Sequence, residues 1–166
     1  MKFPDLMYDS IYQIPYDKLY AMGIRGLVFD IDNTLAEYAD KRPSVKAASL
    51  IKRLQGMGFH VGLLSNNTSK RVTMYNEHIK LASASFACKP HKGGLRRVME
   101  EMGTAPDQTA VIGDQLFTDI WCGKGVGATA IMVKPISDKD MVTVKLKRMM
   151  ERIVMKKYLQ SHQNSI

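Results

Sequence analysis

The sequence predicts an α/β protein, a three-layer α/β/α domain doubly wound around a parallel sheet, without a cap domain. Two observations predict it. Short apolar runs recur along the chain, and amphipathic stretches of roughly 10–15 residues separate them, which is the pattern of repeated βαβ units. The 166 residues, 45% of them hydrophobic, suit a single domain with a core that needs no disulfide or structural metal. Within it, residues 24–135 form the core, 1–23 an N-terminal extension and 136–166 a basic C-terminal helix and tail.

In the extension, Tyr8, Tyr12, Tyr16 and Tyr20 recur every fourth residue. They make either a packing face or an interfacial aromatic surface, and Pro15 interrupts any long helix. Leu27 to Ile31 is a buried-strand run. From Pro43 to Met57, Val45, Leu50, Ile51 and Leu54 share a helical face, and Gly56 and Gly58 end it. His60 to Leu64 is the second strand. Ser69 to Ile79 is helical with Ser69 as its cap. Ala84 to Ala87 is a short third strand, and Lys92 to Met102 a helix closed by Gly103. Thr109 to Ile112 is the fourth strand, Gln115 to Cys122 a short helix bearing Trp121 on its core side, and Ala128 to Val133 the fifth strand. A last helix covers 138–159.

Composition excludes a collagen, a disulfide scaffold and a disordered chain. The apolar runs are far too short to span a bilayer. Asp5, Asp9 and Asp17 break up any signal-peptide core, so an intracellular, cytoplasmic protein is expected. Cys88 and Cys122 read as reduced, buried thiols. The net charge of +8 is uneven: residues 134–166 hold eight basic and three acidic residues. In the last helix Val142, Leu146, Met149, Met150 and Ile153 share one face. That stripe can pack on its own domain, the usual fate of such faces. It can also pack on a second copy, or lie on anionic membrane as a peripheral contact.

Ligands of doubly wound sheets bind beyond the carboxyl ends of the strands. There the sequence places Asp30, Asp32 and Thr34, then Ser65 and Asn66, then Lys89, then Asp114 and Asp119. Carboxylates so close together cannot all ionise without compensation. A hard cation supplies it, and an all-oxygen donor set selects Mg2+. With a lysine and small hydroxyls, such a site cradles a phosphoryl group.

These residues, Asp30-Ile31-Asp32-Asn33-Thr34, Ser65, Lys89 and Gly113-Asp114-Gln115-Leu116-Phe117-Thr118-Asp119, resemble the four motifs of the haloacid dehalogenase (HAD) superfamily, in order and each after an apolar run. The resemblance implies a phosphatase in which Asp30 is the nucleophile, forming an aspartyl-phosphate. It makes Asp32 the general acid and base, with its backbone carbonyl on the metal. Thr34, Ser65, Asn66 and Lys89 would meet the substrate. Asp30, Asp32, Asp114 and Asp119 would form the metal site, Asp119 as a more distant or alternate ligand.

Only ten residues (Leu35 to Ser44) follow the first motif before the next helix, and one helix and one short strand fill Ser65 to Lys89. Neither gap holds a cap, so the site is expected to be open. With Tyr16-Asp17-Lys18-Leu19 leading into the first motif and Ser65-Asn66-Asn67 after the second strand, the chain is similar to the YqeG-type branch of HAD subfamily IIIA, and through it to phosphatidylglycerophosphate phosphatases. This implies a phosphorylated substrate, an anionic lipid first. The alternatives are a soluble phosphosugar or nucleotide, with oligomer contacts closing the site, and a non-catalytic HAD-fold module binding RNA, ribosome or membrane. No aromatic platform interleaved with basic residues favours nucleic acid.

Overall fold

The computed structural model describes residues 2–138 and 142–163, with side chains through residue 160. The chain divides into two compact units, Met1–Ile136 and Ser137–Ile166. The first is a six-stranded, wholly parallel sheet of β1 (Leu6–Tyr8), β2 (Gly26–Phe29), β3 (His60–Leu64), β4 (Ala82–Ala84), β5 (Thr109–Gly113) and β6 (Thr129–Val133). Its order is β1-β6-β5-β2-β3-β4. The expected three-layer, doubly wound architecture is therefore present, and among the described residues nothing is inserted as a cap.

Two buried clusters show why the strands read as unbroken apolar runs. Leu27 and Phe29 of β2 join Ala110 and Ile112 of β5 on one face, beneath α1 (Tyr16–Ala21), α2 (Val45–Gly56) and α3 (Ser69–Asn76). Val28 and Val111 point to the other face, beneath α4 (Gly93–Met102) and α5 (Trp121–Val126). Gly62 lets α4 settle on β3: a Cβ there would lie 2.5 Å from Val98 Cγ1.

The structure differs from the sequence reading in several places. The N-terminal segment contributes a sixth strand: β1 pairs with β6 in the register Leu6 to Ile131, and the Asp5 carboxylate accepts from the Ala130 amide at 2.8 Å. The tyrosines form a packing face. Tyr16 is buried, its hydroxyl donates to the Ile11 carbonyl at 2.7 Å, and Tyr8, Tyr12 and Tyr20 pack against the same cluster. The cap of α3 is Thr68, whose hydroxyl accepts from the Arg71 amide, so the helix starts with Ser69 inside it. The edge strand β4 is Ala82–Ala84, earlier than expected, because those residues pair with Gly62 to Leu64. Cys88 is exposed and Cys122 buried. Trp121 is only half-buried and leans on Phe117, with 4.9 Å between ring centroids. Gly123 and Gly125 lie within α5, and Gly127, at φ +89°, ends it.

In the second unit, α6 runs Val142–Gln163. Of the helix expected over 138–159, residues 139–141 lie outside the described residues. No helix among the described residues is long and apolar enough to cross a membrane.

Candidate active site

The chain runs β2 to β3 to β4 toward one edge, then returns to β5 and continues outward through β6. The winding direction reverses between β2 and β5, and a crevice opens there beyond the strand ends. The register aligns Phe29 with both Leu63 and Ile112. The residues that follow, Asp30, Ser65 and Asp114, therefore emerge at the rim of three adjacent strands. The Asp30 amide donates to the Ile112 carbonyl at 2.9 Å, carrying the sheet ladder to the first site residue.

After Asp30 the backbone closes on itself. The amides of Thr34, Leu35 and Ala36 all donate to the Ile31 carbonyl. Asn33 sits at φ +64°, a conformation that asparagine tolerates better than most residues. The turn buries Thr34, whose hydroxyl donates to Asp114 Oδ1 at 3.2 Å. Thr34 thus buttresses a carboxylate within the site.

Asp30, Asp114 and Asp119 are all buried, and one oxygen from each lies within 4.8 Å of the others. Asp119 reaches the cluster because the chain makes a π-helical turn at Leu116–Ile120, a feature common at functional sites. Its Oδ2 accepts from the Gln115 amide at 3.1 Å. Gly113 makes room for it: a Cβ there would lie 2.3 Å from Asp119 Cγ.

Lys89 closes the cluster. Its Nζ donates to Asp30 Oδ1 and Asp119 Oδ1, both at 2.6 Å, and to the Leu64 carbonyl at 3.1 Å. These contacts use all three ammonium protons, so Lys89 serves here as a neutralising charge and would have to exchange one partner to hold a phosphoryl oxygen. Asn66 positions it, accepting from the Lys89 amide at 2.7 Å. Ser65 is buried and its hydroxyl accepts from the Asn67 amide at 3.0 Å.

Burial pushes the Asp30 carboxyl up, Lys89 pulls it down, and Asp119 and Asp114 push it up again; it stands well above the usual carboxylate range. Burial opposes the charge of Lys89, but Asp119 and Asp30 more than offset this, and the ammonium holds its proton beyond its ordinary range. Three carboxylates facing one lysine leave a net negative, oxygen-lined pocket, which a hard divalent cation suits.

Asp32 lies apart from this trio in its contacts. Arg71 donates to its Oδ1 from Nε at 3.2 Å and from Nη2 at 3.0 Å, and Asn67 Nδ2 donates to its Oδ2 at 3.0 Å. Arg71 Nη2 also reaches the Glu37 carbonyl at 3.3 Å. The carboxylate of Asp32 is thereby held on both oxygens. The sequence reading did not single out Arg71. It sits 39 residues from Asp32 on a helix with one other basic residue, Lys70, and nothing in its local pattern separates the two. Beside it, a cleft of about 500 Å³ is lined by Ala39, Asp40, Lys41, Arg42, Met74 and Glu77.

Comparison with known proteins agrees with this geometry. The family description HAD-hydrolase-like matches residues 86–140, which span Lys89, Asp114 and Asp119. The chain is 28% identical to the "Probable phosphatase YqeG" of Bacillus subtilis over 152 residues, covering 92% of this chain and 88% of that one. The chain resembles HAD-type hydrolases. It is also 25% identical over 94% of its length to a phosphatidylglycerophosphate phosphatase 1 of Arabidopsis thaliana, but spans only 48% of that protein. Among solved structures it is similar in fold to the cobalt-bound deoxy-D-mannose-octulosonate 8-phosphate phosphatase of Haemophilus influenzae. The TM-score is 0.54 at 20% identity, over 71% of this chain and 81% of that one.

Proposed function

We propose that this chain is a HAD-type, Mg2+-dependent phosphomonoester hydrolase working through an aspartyl-phosphate, and that its substrate is a phosphorylated anionic lipid of the phosphatidylglycerophosphate kind. The observation that carries the reading is the buried cluster of Asp30, Lys89, Asp119 and Asp114 at the switch point of the sheet, with Asp32 clamped two residues after Asp30.

Asp30 attacks phosphorus in line, and the bond from phosphorus to the ester oxygen breaks. Asp32, when protonated, gives its proton to that leaving oxygen. The freed Asp32 carboxylate then takes a proton from a water molecule, whose oxygen attacks the aspartyl-phosphate. This releases inorganic phosphate and restores Asp30. Lys89 holds Asp30 in place and offsets its charge. Arg71 and Asn67 orient Asp32 toward its two proton transfers, and Ser65 lies at the rim where a phosphoryl oxygen would sit. Asp30, Asp114 and Asp119, with the Asp32 carbonyl, would hold Mg2+. Bound there, the cation would offset the carboxylates and draw charge from the phosphoryl oxygens.

Two observations support a lipid over a small metabolite. Among the described residues no inserted domain covers the site, which suits a substrate held in a surface. The plant relative and an algal one, 29% identical, carry phosphatidylglycerophosphate in their names. The test is phosphate release from phosphatidylglycerophosphate in mixed vesicles beside a panel of soluble sugar and nucleotide monophosphates. Higher kcat/KM on the vesicles supports the lipid reading. Higher kcat/KM on a soluble ester overturns it while leaving the phosphatase chemistry standing.

A further inference from the structure

The strap that follows β4 carries outward side chains that neither the core nor the proposed chemistry uses. Hydrogen bonds lace this strap to the loop after β3. The Phe86 amide donates to the Asn67 carbonyl at 2.9 Å, and the Ala87 amide to the Ser65 carbonyl at 3.0 Å. The Lys89 amide donates to Asn66 Oδ1 at 2.7 Å, and the Ser69 and Ser85 hydroxyls meet at 2.9 Å. Along the strap burial alternates: Ala87 and Lys89 are buried, whereas Phe86, Cys88 and Pro90 are exposed. Phe86 is 60% exposed, so its ring adds little to the core. Its φ is +44°, a region in which a bulky side chain is strained and glycine is not. Strain of this kind persists where the surroundings over-determine it, and it gathers at functional sites.

We infer that Phe86, with Cys88 and Pro90 beside it, receives the hydrocarbon part of the substrate's leaving group and so selects phosphate esters of apolar alcohols. The placement follows from the clamp on Asp32. Asn67, whose carbonyl holds the Phe86 amide, donates from Nδ2 to Asp32 Oδ2 at 3.0 Å. Asp32 is the residue proposed to protonate the leaving oxygen, so the departing organic group lies on the side of the site that Phe86 borders. The chemistry of the ridge selects the class of that group. Phenylalanine and proline carry no polar side-chain atom, and a free cysteine behaves as a small hydrophobe. The ridge gives the hydroxyls of a sugar nothing to pair with, whereas a hydrocarbon chain gains from the same contact by leaving water. The assignment deepens the phosphatase reading, and it rests on that reading for the role of the group bound.

The experiment is isothermal titration of the full chain, in magnesium, with ethylphosphonate, with octylphosphonate below its micellar concentration and with a nucleoside phosphonate. Hydrolysis of ethyl and octyl phosphate is followed beside it. A methylene taken fully out of water is worth about fourfold in affinity, and an open ridge covers only some of the added ones. The wild type is therefore expected to bind octylphosphonate about tenfold or more tighter than ethylphosphonate. Phe86→Gly is expected to lose most of that ratio, and Phe86→Leu to keep most of it. Phe86→Gly is also expected to unfold at or above the wild-type temperature, because glycine adopts this φ freely. The inference is overturned by a wild type that binds the two alkyl phosphonates equally or binds neither, or by a ratio that survives Phe86→Gly. It is also overturned by a marked fall in the unfolding temperature of Phe86→Gly, which would make the ring structural. Loss of the nucleoside phosphonate in place of the octyl one would overturn it too, since the ring would then stack on a base. A protein that prefers the longer phosphonate in titration but hydrolyses neither phosphate loses the catalytic reading and keeps this one. Hydrolysis of both esters with no chain-length preference in titration does the reverse.

Discussion

Replacing Lys89 by methionine keeps the length of the side chain and removes its charge. The side chain is 4% exposed and its ammonium lies 2.6 Å from two buried carboxylates. Removing one partner of a buried ion pair costs about 3–5 kcal/mol, because the charge left behind has nothing to compensate it. For a chain of this size, each kcal/mol moves Tm by roughly 2–4 °C. The expected fall for metal-free protein near neutral pH is therefore roughly 6–20 °C. The pH dependence has a definite sign. Asp30 is already held above the ordinary carboxylate range, so the folded state keeps a proton that the unfolded chain gives up. That contribution is fully present below the unfolded carboxylate pKa and fades as pH rises through the folded one. Without Lys89 the carboxyl rises further. The deficit of the variant should therefore be larger at pH 8 than at pH 6. Added magnesium should shrink it, since a bound cation replaces the missing charge and stabilises by mass action. Thermal unfolding followed by circular dichroism, in EDTA and then in magnesium, reads all three effects. A variant whose midpoint in EDTA at pH 8 lies within about 2 °C of the wild type would refute the neutralising role of Lys89.

Three further predictions follow from the same geometry. Gly113→Ala places a Cβ 2.3 Å from Asp119 Cγ; isothermal titration should show weakened magnesium binding, and phosphate release should fall with it. Arg71→Met frees Asp32 Oδ1, and because acid catalysis matters most for poor leaving groups, turnover of an alkyl phosphate should fall about tenfold or more relative to that of an activated aryl phosphate. Thr68→Ala should destabilise the protein by about 0.5–2 kcal/mol in urea unfolding, while Ser69→Ala should change little, since Thr68 caps α3.

The central strands were legible because β2, β3 and β5 are buried on both faces and so read as unbroken apolar runs. The edges were not. The strand Leu6–Tyr8 is three residues long with one exposed side chain, too short for a periodicity. The strand Ala82–Ala84 is small and half-buried, so pairing with β3 fixes its limits where hydropathy does not. The site residues were named from motif order, and the structure brings Asp30, Lys89, Asp114 and Asp119 together. Their partners lay beyond a sequence reading. The clamp of Arg71 on Asp32 joins two distant segments through tertiary packing, and the reach of Asp119 depends on a π-helical turn that Phe117, Thr118 and their neighbours do not announce. Trp121 misled because the apolar side of a short helix reads as core, whereas it shares a half-exposed contact with Phe117.

The most direct measurement is phosphate release from an aryl phosphate, with magnesium or with EDTA, for the wild type and for Asp30→Asn. Asp30 is the proposed nucleophile, so release is expected from the wild type in magnesium, and neither EDTA nor the variant should support it above background. Release that persists in Asp30→Asn would contradict an aspartyl-phosphate on that residue, and release that persists in EDTA would contradict the metal requirement.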